Sequence, residues 1–248
     1  MIGSYEVAAT GLAAQQRALQ IISNNISNIN TPGYKKSSIN YADMVAALDG
    51  QTMGLGGVNA LPNLLINGQG EIQNTGNKMD IAIDGTGFIE LLGRDGQFMF
   101  WRGGTLQINH EGYLAGPHGT ALRAMIQVPS DAKDLAIDET GVVTAVLGGG
   151  SDRTELGRIE LAILQSANDI ERLDGGLYRF TGINAPEMRS PGEDGVGRLI
   201  QGSIELSTVD LNDEMVRMLI VQRAYAANAQ VIQAGDQLMS ISNNLRRT

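Results

Sequence analysis

The two ends of this chain carry apolar residues at the spacing of helices that pack lengthwise against other helices. Such stripes mark a helix face that is buried against a partner. Near the start the intervals alternate between three and four residues, through Tyr5, Ala8, Leu12, Gln15, Leu19, Ile22, Ile26 and Ile29. Near the finish the same intervals separate Met215, Met218, Gln222, Tyr225, Ala229 and Ile232, and Leu238, Ile241 and Leu245 continue a neighbouring stripe. The pattern predicts two long terminal helices that pair with each other and leave apolar surface for further copies of the chain.

The middle of the chain predicts β-structure. Short alternating apolar runs, such as Met79–Ile83, Leu122–Val128 and Ile159–Ile163, are separated by glycine turns. The expected fold class is therefore α+β, with N- and C-terminal α-helices packed together as a coiled-coil-like core and a β-rich middle domain. The predicted segments are an N-terminal helix in 1–33, an extended connector in 34–68, a β-rich domain in 69–206 and a C-terminal helix in 207–248.

Local signals set the expected ends of these segments. Thr31, Pro32 and Gly33 stop the first helix, because proline restricts the residue before it and glycine readily adopts a turn conformation. The closing helix should begin near Leu211, with Asp210 or Asn212 as its N-cap. We expect little regular structure in the connector beyond a short helical piece at Tyr41–Leu48, and a last strand near Leu199–Leu206.

The charge of the chain is concentrated in its middle. The formal net charge is −9, and the segment between residues 40 and 207 holds 22 acidic against 11 basic residues. Nucleic acid and anionic lipid are disfavoured as partners, because phosphate binding needs clusters of lysine and arginine. No apolar run approaches the roughly 18 residues that span a bilayer, so membrane insertion is not expected. The first twenty residues lack a basic region followed by an apolar core, which argues against a cleaved signal peptide.

Catalytic, metal and cofactor sites have little support in the sequence. There is no cysteine, which excludes a disulfide framework and a thiolate metal site. His110 and His118 lie in probable turns without a second histidine at helical spacing, and solvated turn residues explain them better than metal ligands do. Asp80 and Asp84 share one face of a strand, and exposed strand positions explain them better than paired catalytic carboxylates. We expect no enzymatic activity and no cofactor.

Asparagine is concentrated at the end of the first helix, where it is poor for intrinsic helicity. The stretch Ser23–Lys35, SNNISNINTPGYK, resembles the N-terminal motif of the bacterial flagellar rod and hook protein family, which reads approximately ANNLANVNTPGFK. Three further segments resemble that family in the same order along the chain. They are Gly70–Phe88 (GEIQNTGNKMDIAIDGTGF), Gly202–Leu211 (GSIELSTVDL) and Glu214–Asn228 (EMVRMLIVQRAYAAN).

The resemblance implies a structural subunit of the flagellar basal-body rod. Such a subunit self-assembles through its terminal helices, as an axial core with the β-rich domain outside, into a helical tube that transmits torque from the motor to the hook. The implied location is the periplasmic span of the basal body, reached without a cleaved signal peptide through the flagellar type III export apparatus. The implied partners are copies of itself, other rod proteins, the surrounding basal-body ring proteins and, as a further candidate, hook protein.

The position within the rod is less constrained by the motifs. Distal-rod relatives usually have a longer insertion after the first helix and the sequence SNVD where this chain has Thr208, which favours a proximal-rod subunit. The opening MIGSYEVAATGLAAQQ looks closer to distal-rod proteins. Distal-rod or hook-type proteins, and outside the family a coiled-coil adaptor module, are the alternatives. The chain also has Trp101-Arg102-Gly103-Gly104 where relatives tend to show an aromatic-Thr-Arg-Asp-Gly pattern.

The residues expected to form the assembly interface lie on both terminal helices. Asn24, Asn25 and Asn28 either fix the register of packed helices, as a lone asparagine does in a coiled-coil seam, or cap the helix end. Gln15 and Gln222 either pair across helices or lie at the rim. The full predicted interface is Leu12, Leu19, Ile22, Asn24, Asn25, Ile26, Asn28, Ile29, Met215, Met218, Gln222, Arg223, Tyr225, Asn228, Ile232 and Met239.

Overall fold

The chain forms two compact units, seen in a computed structural model. The structure describes residues 2–43, 46–48, 52–54, 58–66, 68–93, 96–148, 152–164, 166, 169–182 and 185–245. Unit 1 comprises Met1–Ser27, Ser37–Asn63 and Val209–Thr248, and unit 2 comprises Asn28–Lys36 and Leu64–Thr208. Helices at both ends and a strand-rich middle confirm the α+β class. The division into four predicted segments stays a prediction.

The two long helices belong to unit 1. Helix α1 spans Ile2–Ser27 and ends two residues before the predicted Ile29. Turns follow it, and Gly33 adopts a φ of +68° within them. Helix α2 spans Leu211–Leu245. The backbone N–H of Asp213 donates to Asp210 Oδ1 at 3.0 Å, which confirms Asp210 as the N-cap.

The strands are short and numerous, as the glycine-rich sequence predicts. In chain order they are Ser37–Asp43 (β1), Ala46–Leu48 (β2), Thr52–Gly54 (β3), Val58–Leu64 (β4), Ile72–Asn74 (β5), Asp80–Asp84 (β6), Phe88–Leu92 (β7), Phe98–Trp101 (β8), Gly103–Thr105 (β9), Gln107–Ile108 (β10), Leu114–Ala115 (β11), Ala132–Ile137 (β12), Val142–Leu147 (β13), Arg153–Arg158 (β14), Leu161–Ile163 (β15), Ile170–Arg172 (β16), Leu177–Phe180 (β17), Glu187–Arg189 (β18), Arg198–Gln201 (β19) and Ser203–Glu205 (β20).

The predicted connector contains strands instead of irregular chain. Strand β1 pairs with β4, and β2 pairs with β3 in antiparallel register. The expected helical piece at Tyr41–Leu48 was therefore wrong. Its residues Tyr41, Ala42 and Asp43 belong to β1 and Ala46–Leu48 form β2, while residues 44 and 45 lie outside the described part of the chain. β-branched and aromatic residues at alternating positions, such as Ile39 and Tyr41, suit a strand better than a helix.

Unit 2 contains a six-stranded sheet in the order β16-β17-β8-β7-β15-β18 and two three-stranded sheets, β19-β6-β9 and β12-β13-β14. Two smaller pairs, β20 with β5 and β10 with β11, complete it. The main core includes Ile81, Ile83, Ile89, Leu91, Trp101, Leu106, Leu114, Leu122, Ile126, Ile159, Leu161 and Leu199, all buried. A second cluster contains Phe88, Phe100 and Tyr178 with edge-to-face ring contacts between Phe88 and each of the other two.

Three strand predictions need correction. Asp80 is buried in β6, not exposed, because its carboxylate accepts hydrogen bonds from the hydroxyls of Thr75 and Thr105 and from the Asn77 amide. The run Leu122–Val128 forms only isolated bridges and a turn. Leu122, Ile126 and Val128 are buried as expected, whereas Ala124 is exposed. The predicted last strand is divided into β19 and β20 by Gly202, whose φ is +76°.

The predicted glycine turns match the structure where it describes them. Gly112, Gly141 and Gly175 each adopt a positive φ at the expected turns. Arg94 and Asp95 lie outside the described residues. The glycine- and proline-rich sequence over Gly182–Gly197 predicts a surface loop, and in the structure this segment contains the short edge strand β18.

A substitution at Gly103 tests the backbone conformation of β9 and its close contact with β6. Its φ is +104°, and an added Cβ would lie 2.5 Å from the carbonyl oxygen of Ile81 on the neighbouring strand. We expect Gly103→Ala to lower the free energy of unfolding by at least twice as much as Gly76→Ala. Gly76 also has a positive φ, +71°, but no atom within 4 Å of its added Cβ, so only backbone strain of about 1–2 kcal/mol applies there. Urea unfolding measures both, and equal losses would contradict the described contact.

Candidate functional site

In unit 1 the helices pack through a narrow seam of small side chains on α1. Ala8, Ala14 and Ala18 are buried, and Ala18 forms a cluster with Ile22 and Val221. Partly buried Leu19, Ile26, Ile39 and Met218 pack around that cluster. The buried face therefore includes Ala8 and Ile22 of the predicted stripe, whereas Leu12, Leu19 and Ile26 of that stripe are partly buried beside it.

Glycine lets α2 approach α1 closely in this seam. A Cβ added at Gly11 would lie 2.9 Å from Asn228 Nδ2, closer than real Cβ contacts. Small residues at a helix contact permit short distances between backbones, so less of the seam is filled by large apolar side chains. Intrachain packing consequently uses few of the large apolar residues of α2.

Asn25 connects three elements of unit 1. Its amide Nδ2 donates to the Ser37 carbonyl at 2.9 Å and to Glu214 Oε2 at 3.2 Å, and its Oδ1 accepts from the Ser37 N–H at 3.1 Å. Both Asn25 and Glu214 are buried. These bonds fix α1 against the start of β1 and the first turn of α2, which agrees with the register role for this asparagine. Asn28 instead accepts from the Thr31 hydroxyl at 3.1 Å in the turn after α1.

The other predicted interface residues occupy different surroundings. Ile22 is buried, Asn228 and Ile232 are half-buried on the seam side of α2, and Ile29 follows α1 in the turn. The side chain of Met239 lies outside the described ones. Gln15 Oε1 is buried without a hydrogen-bond partner, so this oxygen does not accept from Gln222. Exposed positions are Asn24, Met215, Gln222, Arg223 and Tyr225.

A second apolar stripe runs along α2, about a third of a turn around the helix from the seam. Its members are exposed, from 55 % for Val231 to 61 % for Ile220. They are Val216, Ile220, Val231, Leu238 and Ile241, with Ala227 and Ala234 between them. We call this set the free face. Sequence reasoning followed the stripe through Met218 and missed most of the free face, although the spacing of three and four residues from Val216 would have found it.

In unit 2, residues 33–36, which follow α1, are hydrogen-bonded to residues 203–208, which include the last strand, β20. The N–H of Gly33 donates to the Glu205 carbonyl at 2.8 Å, and the N–H of Thr208 donates to the Tyr34 carbonyl at 3.0 Å. The N–H of Lys36 donates to Thr208 Oγ1 at 2.8 Å. We call this pairing of residues 33–36 with residues 203–208 the clasp.

A buried ion triad lies inside the clasp. Glu205, 1 % exposed, accepts from Lys35 Nζ at 2.5 Å through Oε1 and from Arg102 Nε at 2.7 Å through Oε2. The Gly70 N–H also donates to Oε1 at 2.7 Å. The remaining Arg102 nitrogens donate to the carbonyls of Gly85 and Gly87, and Lys35 Nζ also donates to the Gly68 carbonyl at 2.5 Å. Arg102, which keeps the family's arginine in the altered motif, thus has a structural role.

The triad carries one more cation than carboxylates. Burial, and next the nearby Arg102 guanidinium, lower the pKa of Lys35 to about 8, although Glu205 acts in the opposite direction. Glu205 is therefore the group on which both buried cations depend. Removing it leaves two uncompensated charges in the interior, whereas removing Lys35 leaves the Arg102–Glu205 pair intact.

Aromatic hydroxyls complete the clasp. The Lys35 N–H donates to the Tyr178 hydroxyl at 3.2 Å, and burial raises the pKa of that hydroxyl. Arg172 Nη1 donates to the Tyr34 hydroxyl at 2.8 Å and its guanidinium lies 4.2 Å from the centre of the Tyr34 ring. The motif residues Gly33, Tyr34 and Lys35 are thus integral to unit 2, whereas the sequence predicts Gly33 in the helix stop and Tyr34 and Lys35 in the extended connector.

The described residues provide neither a metal-binding cluster nor a membrane-spanning helix. Within them no group of three or more histidine, cysteine, aspartate and glutamate side chains is arranged to hold a metal ion. No described helix is long and apolar enough to cross a bilayer.

Three family models match the chain in the order of its motifs. They are the flagella basal body rod protein family over residues 6–35, the flagellar hook protein FlgE/F/G D1 domain over residues 82–145, and the flagellar basal body rod FlgEFG protein C-terminal family over residues 200–245. The first includes the stop motif and the clasp residues, and the last includes Glu205 and α2.

Curated relatives match over almost their whole length. The flagellar basal-body rod protein FlgG of Agrobacterium fabrum is 34 % identical, over 97 % of this chain and 98 % of that protein. The chain belongs to the flagellar rod and hook protein family. FlgG of Borreliella burgdorferi is 32 % identical and FlgG of Bacillus subtilis 30 %, each over the full length of both chains. The chain is accordingly a structural subunit of the flagellar basal body rod and not an enzyme.

Glu205 and Lys35 should respond differently to charge removal. At pH 7 we expect Glu205→Gln to lower the free energy of unfolding by about 3–5 kcal/mol, because two buried cations lose their carboxylate. Lys35→Met should cost clearly less, because an apolar chain replaces a charge that burial disfavours. Asp134→Asn, in a surface ion pair with Lys78, is the control and should change little. Urea unfolding followed by Trp101 fluorescence measures all three, and a larger loss for Lys35→Met would contradict the described triad.

The same lysine predicts a pH dependence. The pKa of Lys35 is lower in the folded chain, about 8, than its usual 10.5, so between these values the unfolded state binds more protons and stability rises with pH. The unfolding free energy of the wild type minus that of Lys35→Met should therefore increase from pH 7 to pH 9.5, by roughly 1–2 kcal/mol. Titrations shared by both chains cancel in the difference. A difference that falls over this range would show that the charged lysine stabilises the fold.

Proposed function

We propose that the free face of α2 packs against neighbouring subunits and that this contact builds the rod. The observation that carries the proposal is the exposure of a whole apolar stripe, including Ile220 and Leu238, on a face of α2 that its intrachain seam does not cover. A helix with a second apolar stripe outside its seam needs a second partner, because the first neighbour covers only the seam. Copies of the chain can satisfy this need for each other in a helical tube.

The energetics favour a polymer over an isolated chain. Burying a large apolar side chain stabilises an assembly by roughly 1.5–3 kcal/mol, and the free face carries five of them. Leu12, Leu19 and Ile26 of α1, together with Met215, Gln222, Arg223 and Tyr225 of α2, lie beside these stripes and extend the proposed interface. Long helices packed side by side resist bending and twisting, which suits a shaft that transmits torque from the motor to the hook.

The similarity to several FlgG proteins supports the same place in the rod for this subunit. Its partners are then copies of itself, other rod proteins and hook protein, with the basal-body ring proteins around them. The proposed location is the periplasmic span, reached by export of the unfolded chain through the flagellar type III apparatus. The proximal position inferred from the short connector stays a prediction.

Ile220→Asp separates assembly from folding. Because Ile220 is 61 % exposed, the substitution should leave the helix content and thermal stability of the monomer unchanged while abolishing rod formation and motility. Ile22→Asp, at a position that is 0 % exposed, should lower both folding and assembly. Gln233→Glu is the matched control, since it adds a charge to an exposed polar position on the same helix and should preserve motility.

Circular dichroism of the purified chains and swarm-plate motility of complemented strains provide the readouts. Normal motility of the Ile220→Asp strain would contradict the proposal. Electron microscopy of basal bodies from a deletion strain tests the position in the rod: rods that end near the export apparatus favour the proximal position, and rods that lack only the hook-side portion contradict it.

A further inference from the structure

We propose that the clasp is a folding latch, the last part of unit 2 to close. Its two segments come from opposite ends of that unit, residues 33–36 and residues 203–208. Lys35 and Glu205 are 170 residues apart in sequence, and Arg102 and Glu205 are 103 apart. Contacts of such separation form after local ones, because closing a long loop costs entropy before any contact compensates for it.

The rest of unit 2 contains contacts that can form earlier. Strands β12, β13 and β14 form an antiparallel meander within residues 132–158, and Val143 and Ala145 of β13 are buried in it. Strands β7 and β8 pair across a short connection. These pairings bring few distant residues together, so the meander is the natural place for a folding nucleus.

Electrostatics reinforces the late closure. A carboxylate with the burial of Glu205 is stable only when its cations are already in place, because each unpaired buried charge costs several kcal/mol. Lys35, Arg102 and Glu205 come from three distant parts of the chain, and Gly70 supplies a fourth contact. Glu205 brings the carboxylate that both buried cations need, and Lys35 brings the second cation, so the triad is complete only when both segments of the clasp have arrived.

Late closure has a consequence for an exported chain, and this consequence rests on the proposed function. Whichever end emerges first, the triad stays incomplete until residues 35 and 205 have both left the channel. Unit 2 then completes its fold only after nearly the whole of its chain has been delivered. The latch itself is a property of the isolated chain and needs no export apparatus to be observed.

Refolding kinetics of the full-length chain test the latch. Trp101 is the single tryptophan, is buried, and directly precedes Arg102, so its fluorescence reports on unit 2 beside the triad. Stopped-flow folding and unfolding are compared for the wild type, Glu205→Gln and the core variant Val143→Ala. A contact made after the transition state changes mainly the unfolding rate when it is removed.

We expect Glu205→Gln to raise the unfolding rate by about a hundredfold or more and to change the folding rate by less than about twofold. For Val143→Ala, a larger fraction of the lost unfolding free energy should appear as a slower folding rate. If Glu205→Gln does not fold, Thr208→Val replaces it, since it removes the hydroxyl that accepts from the Lys36 N–H and donates to the Tyr34 carbonyl but leaves the ion triad in place. For each variant, the fraction of the lost unfolding free energy that appears as slower folding is calculated. The latch is overturned if this fraction for the clasp variant equals or exceeds the fraction for Val143→Ala. Such a result leaves rod assembly untouched, which the Ile220→Asp strain tests separately.

Discussion

The close contact between α2 and the glycine and alanine side of α1 determines which surfaces remain available in unit 1. Because Gly11, Ala14 and Ala18 are small, α2 lies near the α1 backbone and the seam needs few large apolar side chains. The buried amide of Asn25 makes this contact between helices more specific, since it is hydrogen-bonded to both Glu214 and the backbone of Ser37. A seam of large residues would have drawn the apolar side chains of α2 inward. Here they remain outside, where neighbouring subunits can cover them.

Unit 2 depends on a different constraint, the buried carboxylate of Glu205. It neutralises Lys35 and Arg102 and so joins the segment after α1 to the segment before α2 within one fold. The residues of the family motif therefore have different structural roles in this chain. Asn25 serves the helix pair, Gly33 provides a turn with positive φ, and Lys35 serves the ion triad. One thirteen-residue motif thus supplies both units.

Much of the architecture could be predicted from the sequence because periodicity reports burial. The stripes of the terminal helices, the N-cap at Asp210 and the glycine turns followed from local chemistry and are present. The strands of residues 37–64 were missed because their alternation is weak and their glycine content suggested irregular chain. The sequence does not predict the burial of Glu205, since Lys35 and Arg102 lie far away along the chain and only the tertiary fold brings them to it. It does not predict the burial of Asp80 either, because the hydrogen bond from Thr105 depends on the pairing of β6 with β9. Periodicity also does not show which of the two apolar stripes of α2 packs against α1, because that depends on the tertiary arrangement of the two helices.

The most direct test of the account is cross-linking in assembled rods, since the chain has no cysteine and single-cysteine variants give no background. Leu238→Cys on the free face, treated with a short bifunctional maleimide in isolated basal bodies, should form covalent products between neighbouring rod subunits. Ala18→Cys, at a position 0 % exposed in the seam, should not react while the rod is intact. Absence of products from Leu238→Cys, in rods whose cysteine still reacts fully with a monofunctional maleimide, would contradict the assignment of the free face to assembly.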